Sequence, residues 1–139
     1  MLDREKGLDL LNKAIKAREK AYAPYSNFYV GAALLCADGE IFYGANVENA
    51  SYGCAVCAER NAIFAAVLAG KRDFSAIAVV GAPKGQAPDE ACLPCGICRQ
   101  VMSEFCKQDF EIIVNDVSGY KSYTMAEILP HSFSADMLN

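Results

Sequence analysis

The sequence predicts a single α/β domain of three layers, with a mixed sheet of about five strands between helices on both faces. Three observations predict it. Apolar runs of strand length alternate with stretches of helical periodicity, in the order α-β-β-α-β-α-β-(β)-α. Strands joined through helices imply parallel pairing in part of the sheet, while an Asp-Gly turn at Asp38–Gly39 implies one antiparallel hairpin. The chain has 139 residues, 53% of them hydrophobic, which suits one core and is too little for two full ones. The expected domain is therefore the whole span, 1–139.

The elements follow in order. Leu8, Leu11, Ile15 and Tyr22 recur near helical spacing among Lys, Arg and Glu, so an amphipathic helix is expected over 8–22. Pro24 ends it, because the residue before a proline avoids the helical region. "FYVGAALLC", 28–36, is a strand, and "IFYGANVE", 41–48, returns antiparallel after the turn. "AVCAERNAIFAAVLA", 55–69, is rich in alanine and stops at Gly70, which predicts a helix burying Ile63, Phe64, Val67 and Leu68. "FSAIAVVGA", 74–82, is apolar throughout, as in a strand covered on both faces. A Pro- and Gly-bearing loop, 83–94, leads to a helical pattern over 95–106 and a strand over 110–116. Thr124 and Glu127 have the spacing of a capping box, so a short last helix starts there. There are no repeats, linkers or low-complexity tracts.

Composition excludes several function classes. The net charge is −4 and there is no basic stripe, which argues against a nucleic-acid partner. No stretch approaches the roughly 20 apolar residues of a membrane helix, so no membrane partner is expected. The N-terminus "MLDREKGLDLLNKAIKAREK" carries charge throughout and has no apolar signal block, so a cytoplasmic location is expected. In that compartment the seven cysteines read as metal-binding, catalytic or buried rather than disulfide-paired. The one histidine is His131, close to the C-terminus. A Ser-His or Cys-His hydrolase would rest on that residue alone, and a transition-metal site here has to use thiolates and carboxylates.

The cysteines cluster where loops give way to helices: Cys54 and Cys57, then Cys92, Cys95 and Cys98. Unpaired amides and the helix dipole at such starts stabilise thiolates. Cys95 and Cys98 are one helical turn apart, so both sulfurs can face one point, and Cys57 can supply a third. Two metal sites are consistent with this spacing. One is closed and structural, from Cys54, Cys57, Cys95 and Cys98; the other is open, from Cys57, Cys95 and Cys98, with water in the fourth position. Glu59 favours the open site. A carboxylate two residues after a ligand, on the first helical turn, can reach that water without binding the metal. Cys36, Cys106 and Cys92 read as buried side chains. Asn46 and Glu48 are two apart, which on a strand sends both to one face.

"CAE" followed by "PCGICRQ" resembles the zinc-dependent cytidine deaminases. "NVENASYG", "APYSNFYVGAAL" and "EILPHSFS" look like the small, free-nucleoside branch, and the resemblance spans about residues 10–134. Cys57 stands where related branches carry histidine. The resemblance implies the cytidine-deaminase-like α/β/α fold, and hydrolytic deamination of cytidine and 2′-deoxycytidine to the uridines and ammonia. It implies zinc held by Cys57, Cys95 and Cys98, with Glu59 moving protons. It places Asn46 and Glu48 on the ribose hydroxyls, Phe28 on the base, and the Ala58 amide on the pyrimidine edge. It also implies a homotetramer with shared active sites, in which Phe133 closes a neighbour's site. Three thiolates on a divalent ion leave a net −1. Two helix N-termini and a hydrogen bond from Arg60 are the expected offsets. The rival readings are a structural-zinc binding module, a polynucleotide deaminase, and a deaminase of another aminopyrimidine nucleoside. The ribose-reading "NVEN" counts against the second.

Overall fold

A computed structural model describes residues 1–138. Its elements are α1 (Arg4–Ala17), β1 (Phe28–Cys36), β2 (Ile41–Ala45), α2 (Ala58–Leu68), β3 (Phe74–Pro83), α3 (Gly96–Phe105), β4 (Glu111–Asp116), β5 (Gly119–Thr124) and α4 (Met125–Ile128). The strands form one sheet in the order β2-β1-β3-β4-β5. Only β3 and β4 pair in parallel; the other three pairings are antiparallel. This is the mixed five-stranded α/β/α arrangement expected from the sequence.

The period of two in the strands builds two cores. Ala32, Leu34, Ile77, Val79, Ile112 and Val114 face one side, where α2 adds Ala62, Ile63 and Ala66 and α3 adds Met102. Ala33, Ala76, Ala78, Val80 and Ile113 face the other, where α1 lays down Leu10, Leu11 and Ala14. The unbroken apolar run in β3 is thus the mark of a strand covered twice. Burying a side chain such as Ile63 is worth about 1.5–3 kcal/mol.

Four boundaries and one buried face differ from expectation. Helix α1 begins at Arg4 because the Asp3 side chain accepts from Lys6 N and caps it. It ends at Ala17 and passes through a 3₁₀ turn, Arg18–Lys20, so Tyr22 lies outside it. Tyr22 instead bonds the segment after β2, through Tyr22 N to Asn46 O and Glu48 N to Tyr22 O. Strand β2 stops at Ala45, because the Asn46 side chain takes the Val30 N–H and the ladder to β1 closes there. Helix α2 begins at Ala58, with Cys57 as its N-cap. Phe64 and Leu68 are exposed, not buried. The cause is the close approach of α2 to β2. A Cβ on Gly44 would stand 2.1 Å from Ala58 O, so only alanine-sized side chains fit between the helix and that strand. The capping box at α4 is present with both of its hydrogen bonds. Among the described residues no helix is long and apolar enough to cross a membrane.

Candidate active site

The starts of α2 and α3 converge on one point. Cys57 is the N-cap of α2 and Cys95 the N-cap of α3, and neither side chain makes a capping hydrogen bond. Both thiols are therefore free for other work. Asn61 Nδ2 donates to Ala45 O at 2.8 Å and ties the first turn of α2 to the end of β2. Arg99 donates to Pro94 O and Ile128 O, each at 2.8 Å, and fixes the first turn of α3. The result is a cluster of Cys57, Cys95 and Cys98, with all sulfurs within 4.8 Å of one another. Cys57 Sγ is 3.9 Å from Cys95 Sγ, which is 3.5 Å from Cys98 Sγ. A tetrahedral zinc with Zn–S of about 2.3 Å needs sulfurs about 3.8 Å apart, so this donor set fits the ion. Among the described residues Cys54 does not belong to the cluster; it is exposed in the 3₁₀ turn Tyr52–Cys54. The closed four-thiolate site is therefore not formed.

Electrostatics at the cluster are those of a site prepared for a cation. The Cys57 thiol is drawn below its ordinary range, chiefly by the neighbouring Cys98 thiol and next by Arg60. Cys98 is held up by its interaction with the neighbouring Cys57 sulfur and by burial. Arg60 Nη2 donates to Cys57 Sγ at 3.4 Å. Glu59 is only 4% exposed. Burial raises its carboxyl to about 7 and the Cys57 charge adds to the rise, against hydrogen bonds to its own backbone and to Cys98. Ala58 is fully buried at the first helical position, where a backbone N–H has no partner within the helix. Cys36 and Cys106 are buried in the core. Cys92 is half-buried with its thiol pushed up to about 12 by burial.

The remaining residues singled out in the sequence sit on a more open rim. Phe28 opens β1 and lies over Gly81: a Cβ there would stand 2.7 Å from the ring and 2.8 Å from Cys92 Sγ. Asn46 and Glu48 lie beyond the end of β2, not on one strand face. Both are nevertheless turned to the same segment. Asn46 Oδ1 accepts from Val30 N and Asn46 Nδ2 donates to Phe28 O, each at 2.9 Å. Glu48 Oε1 accepts from Tyr25 N and Ser26 N. A cavity of about 210 Å³ opens between Tyr25, Ser26, Glu48 and Tyr52. A wider groove, about 550 Å³, lies elsewhere, between α1 and β2, and no thiol lines it. Phe133 is half exposed, and its carbonyl accepts from Gln100 Nε2 at 2.9 Å, which moors the C-terminal segment to α3. Ser26 and Gln100 lie within the quoted "APYSNFYVGAAL" and "PCGICRQ" stretches, but nothing in their side-chain chemistry or spacing assigned either of them a role.

Fold and site together define an α/β/α protein with an open three-thiolate zinc centre and a buried carboxylate beside it. The description "cytidine and deoxycytidylate deaminase zinc-binding region" matches residues 4–114. The chain belongs to that family. It is 50% identical over 131 residues to a cytidine deaminase of Halalkalibacterium halodurans, covering 94% of this chain and 96% of the relative. It is 32% identical to a blasticidin-S deaminase of Bacillus cereus, over 76% of this chain and 77% of that one. A crystal structure of cytidine deaminase from Burkholderia pseudomallei superposes with a TM-score of 0.83 at 46% identity, covering 95% of this chain and all of the other.

Proposed function

We infer that the chain is a zinc-dependent cytidine deaminase, which converts cytidine and 2′-deoxycytidine with water into the corresponding uridine and ammonia. One observation carries the reading: the Glu59 carboxyl is buried beside three thiols spaced for zinc. Cys57, Cys95 and Cys98 would hold the ion. Zinc there supplies Lewis-acid activation of the attacking water, lowering its pKa from about 15.7 towards 7. A carboxyl that burial lifts above its ordinary range suits general base and general acid work in turn. The Glu59 carboxylate takes a proton from the water as its oxygen adds to C4, and delivers it to N3. It then carries the second proton to the amino group as the C4–N bond breaks and the C4 carbonyl forms. Arg60 and the two helix starts offset the charge of three thiolates.

Substrate orientation falls to the rim. Phe28 packs on the base, the Ala58 amide meets the pyrimidine edge, and Asn46 and Glu48 take the sugar hydroxyls. The active form is a homotetramer with shared sites, in which Phe133 covers the nucleoside of a neighbour. Tyr52, Ile97 and Phe133 are exposed in the single chain and offer apolar surface that a neighbouring subunit can cover. The testing experiment is the fall in ultraviolet absorbance of cytidine in the presence of the purified zinc-loaded protein. Turnover of cytidine supports the reading. Turnover confined to an aminopyrimidine antibiotic such as blasticidin S would replace it.

A further inference from the structure

Ser26 stands between two residues that the reading above assigns to base and sugar. Its hydroxyl donates to Glu48 Oε2 at 2.5 Å and accepts from Phe28 N at 3.0 Å. Asn27 between them has φ 59°, the left-handed conformation that asparagine tolerates, and this brings the Phe28 N–H back onto the serine oxygen. Glu48 is otherwise a half-buried, rotamer-rich side chain. Here its Oε1 accepts from Tyr25 N at 3.0 Å and Ser26 N at 3.1 Å. An ionised carboxylate offers about four lone-pair directions. Two amides occupy Oε1 and the Ser26 hydroxyl occupies half of Oε2. One direction remains, on the oxygen that the hydroxyl orients. These same bonds, the Ser26 hydroxyl first, hold the Glu48 carboxyl below its ordinary range, so it stays an acceptor.

We propose that Ser26 is a positioning residue for sugar recognition, which fixes Glu48 before substrate arrives so that its one free lone pair meets one sugar hydroxyl. The inference rests on the assignment of Glu48 to the ribose. The physical gain is preorganisation: ordering a flexible carboxylate in the free protein removes that cost from binding. Ser26 itself need not touch the nucleoside.

The test uses the zinc-loaded full chain and two substrates, cytidine and 2′,3′-dideoxycytidine, which lacks both lower sugar hydroxyls. Ser26→Ala should lower kcat/KM for cytidine about tenfold, the scale of one hydrogen bond to a charged group, with kcat within about twofold and zinc content unchanged. The same variant should lose less than about twofold on the dideoxy substrate, which has no hydroxyl for Glu48 to accept from. Ser26→Thr, which keeps the hydroxyl, should behave as the wild type. Unchanged cytidine kinetics in Ser26→Ala, an equal loss on both substrates, or a Ser26→Thr variant as impaired as Ser26→Ala would each overturn the proposal. Glu48→Gln separates the two levels. If it leaves cytidine kinetics intact, the ribose assignment fails and the Ser26 inference falls with it. If it lowers them while Ser26→Ala does not, only the Ser26 inference fails.

Discussion

The thiol corner at the starts of α2 and α3 and the rim around Phe28, Asn46 and Glu48 are held by different means. The corner is set by core packing. Cys98 and Ala58 are fully buried, and Gly44 lets α2 approach β2 at a distance that no Cβ would allow. The rim is held by side-chain hydrogen bonds to short loops, with Glu48 and Asn46 tying down residues 25–30. Packed helix starts cannot drift without disturbing the interior. Hydrogen-bonded loops can be loosened one bond at a time. The difference teaches a division of labour: changes at the corner should strike metal or kcat, and changes on the rim should strike KM.

The largest break in this comparison is expected at Glu59. Glu59→Gln should keep zinc and fold yet lose about 10²–10⁴-fold in kcat, the usual worth of a general acid–base group. Near-normal turnover would remove Glu59 from the mechanism.

Next is a pH effect confined to the corner. In the metal-stripped chain Glu59 titrates near 7 when folded, against 4.5 for the ordinary carboxyl. Its folded pKa is raised, so its contribution is fully present below pH 4.5 and is lost as pH rises to about 7. That shift corresponds to about 3 kcal/mol at about 1.4 kcal/mol per unit. Cys57, drawn below its ordinary range, acts in the opposite sense, so the informative quantity is the difference between wild type and Glu59→Gln. Denaturant melts from pH 4 to 8 should show that difference moving against the wild type as pH rises; parallel curves would contradict the burial argument.

Smaller effects are expected on the rim. Phe133→Ala should leave zinc intact and raise KM for cytidine about tenfold, as expected for losing an aromatic platform under a base. Mixed with Glu59→Gln under subunit exchange, it should regain some tight-binding sites, each with Glu59 from one chain and Phe133 from another. Mixed tetramers with only the Phe133→Ala kinetics would end the shared-site idea. Gly81→Ala should do less, about a threefold rise in KM, because the Phe28 ring and the half-buried Cys92 sulfur, 2.7 and 2.8 Å from a Cβ there, must both give way at the cost of off-rotamer side chains. A fall in kcat without a change in KM would place Gly81 in the corner rather than the rim.

The corner was legible in the sequence and the rim much less so. Cys57, Glu59, Cys95 and Cys98 declare themselves because their chemistry is local: short spacing at two helix starts. The doubly covered strand 74–82 was legible for a similar reason, since burial on both faces leaves an unbroken apolar run. Asn46 and Glu48 carried a strand's period of two, but the strand ends at Ala45 and tertiary bonds to residues 25–30 decide where they point. Phe64 and Leu68 looked buried because hydrophobicity alone cannot register that β2 lies too close for large side chains. Ser26 and Gln100 act through hydrogen bonds spanning 22 and 33 residues, which no local pattern announces. The start of α1 was missed because Asp3 caps a first turn with no apolar stripe.

The central claim is an open centre of three thiolates, and zinc content tests it most directly. Wild type and Cys54→Ala should each purify with one zinc per chain, measured by atomic absorption against protein concentration. Cys98→Ala should lose the ion, because two thiolates and a helix start leave it without its third anchor. Stoichiometric zinc in Cys98→Ala, or loss of zinc in Cys54→Ala, would contradict the account.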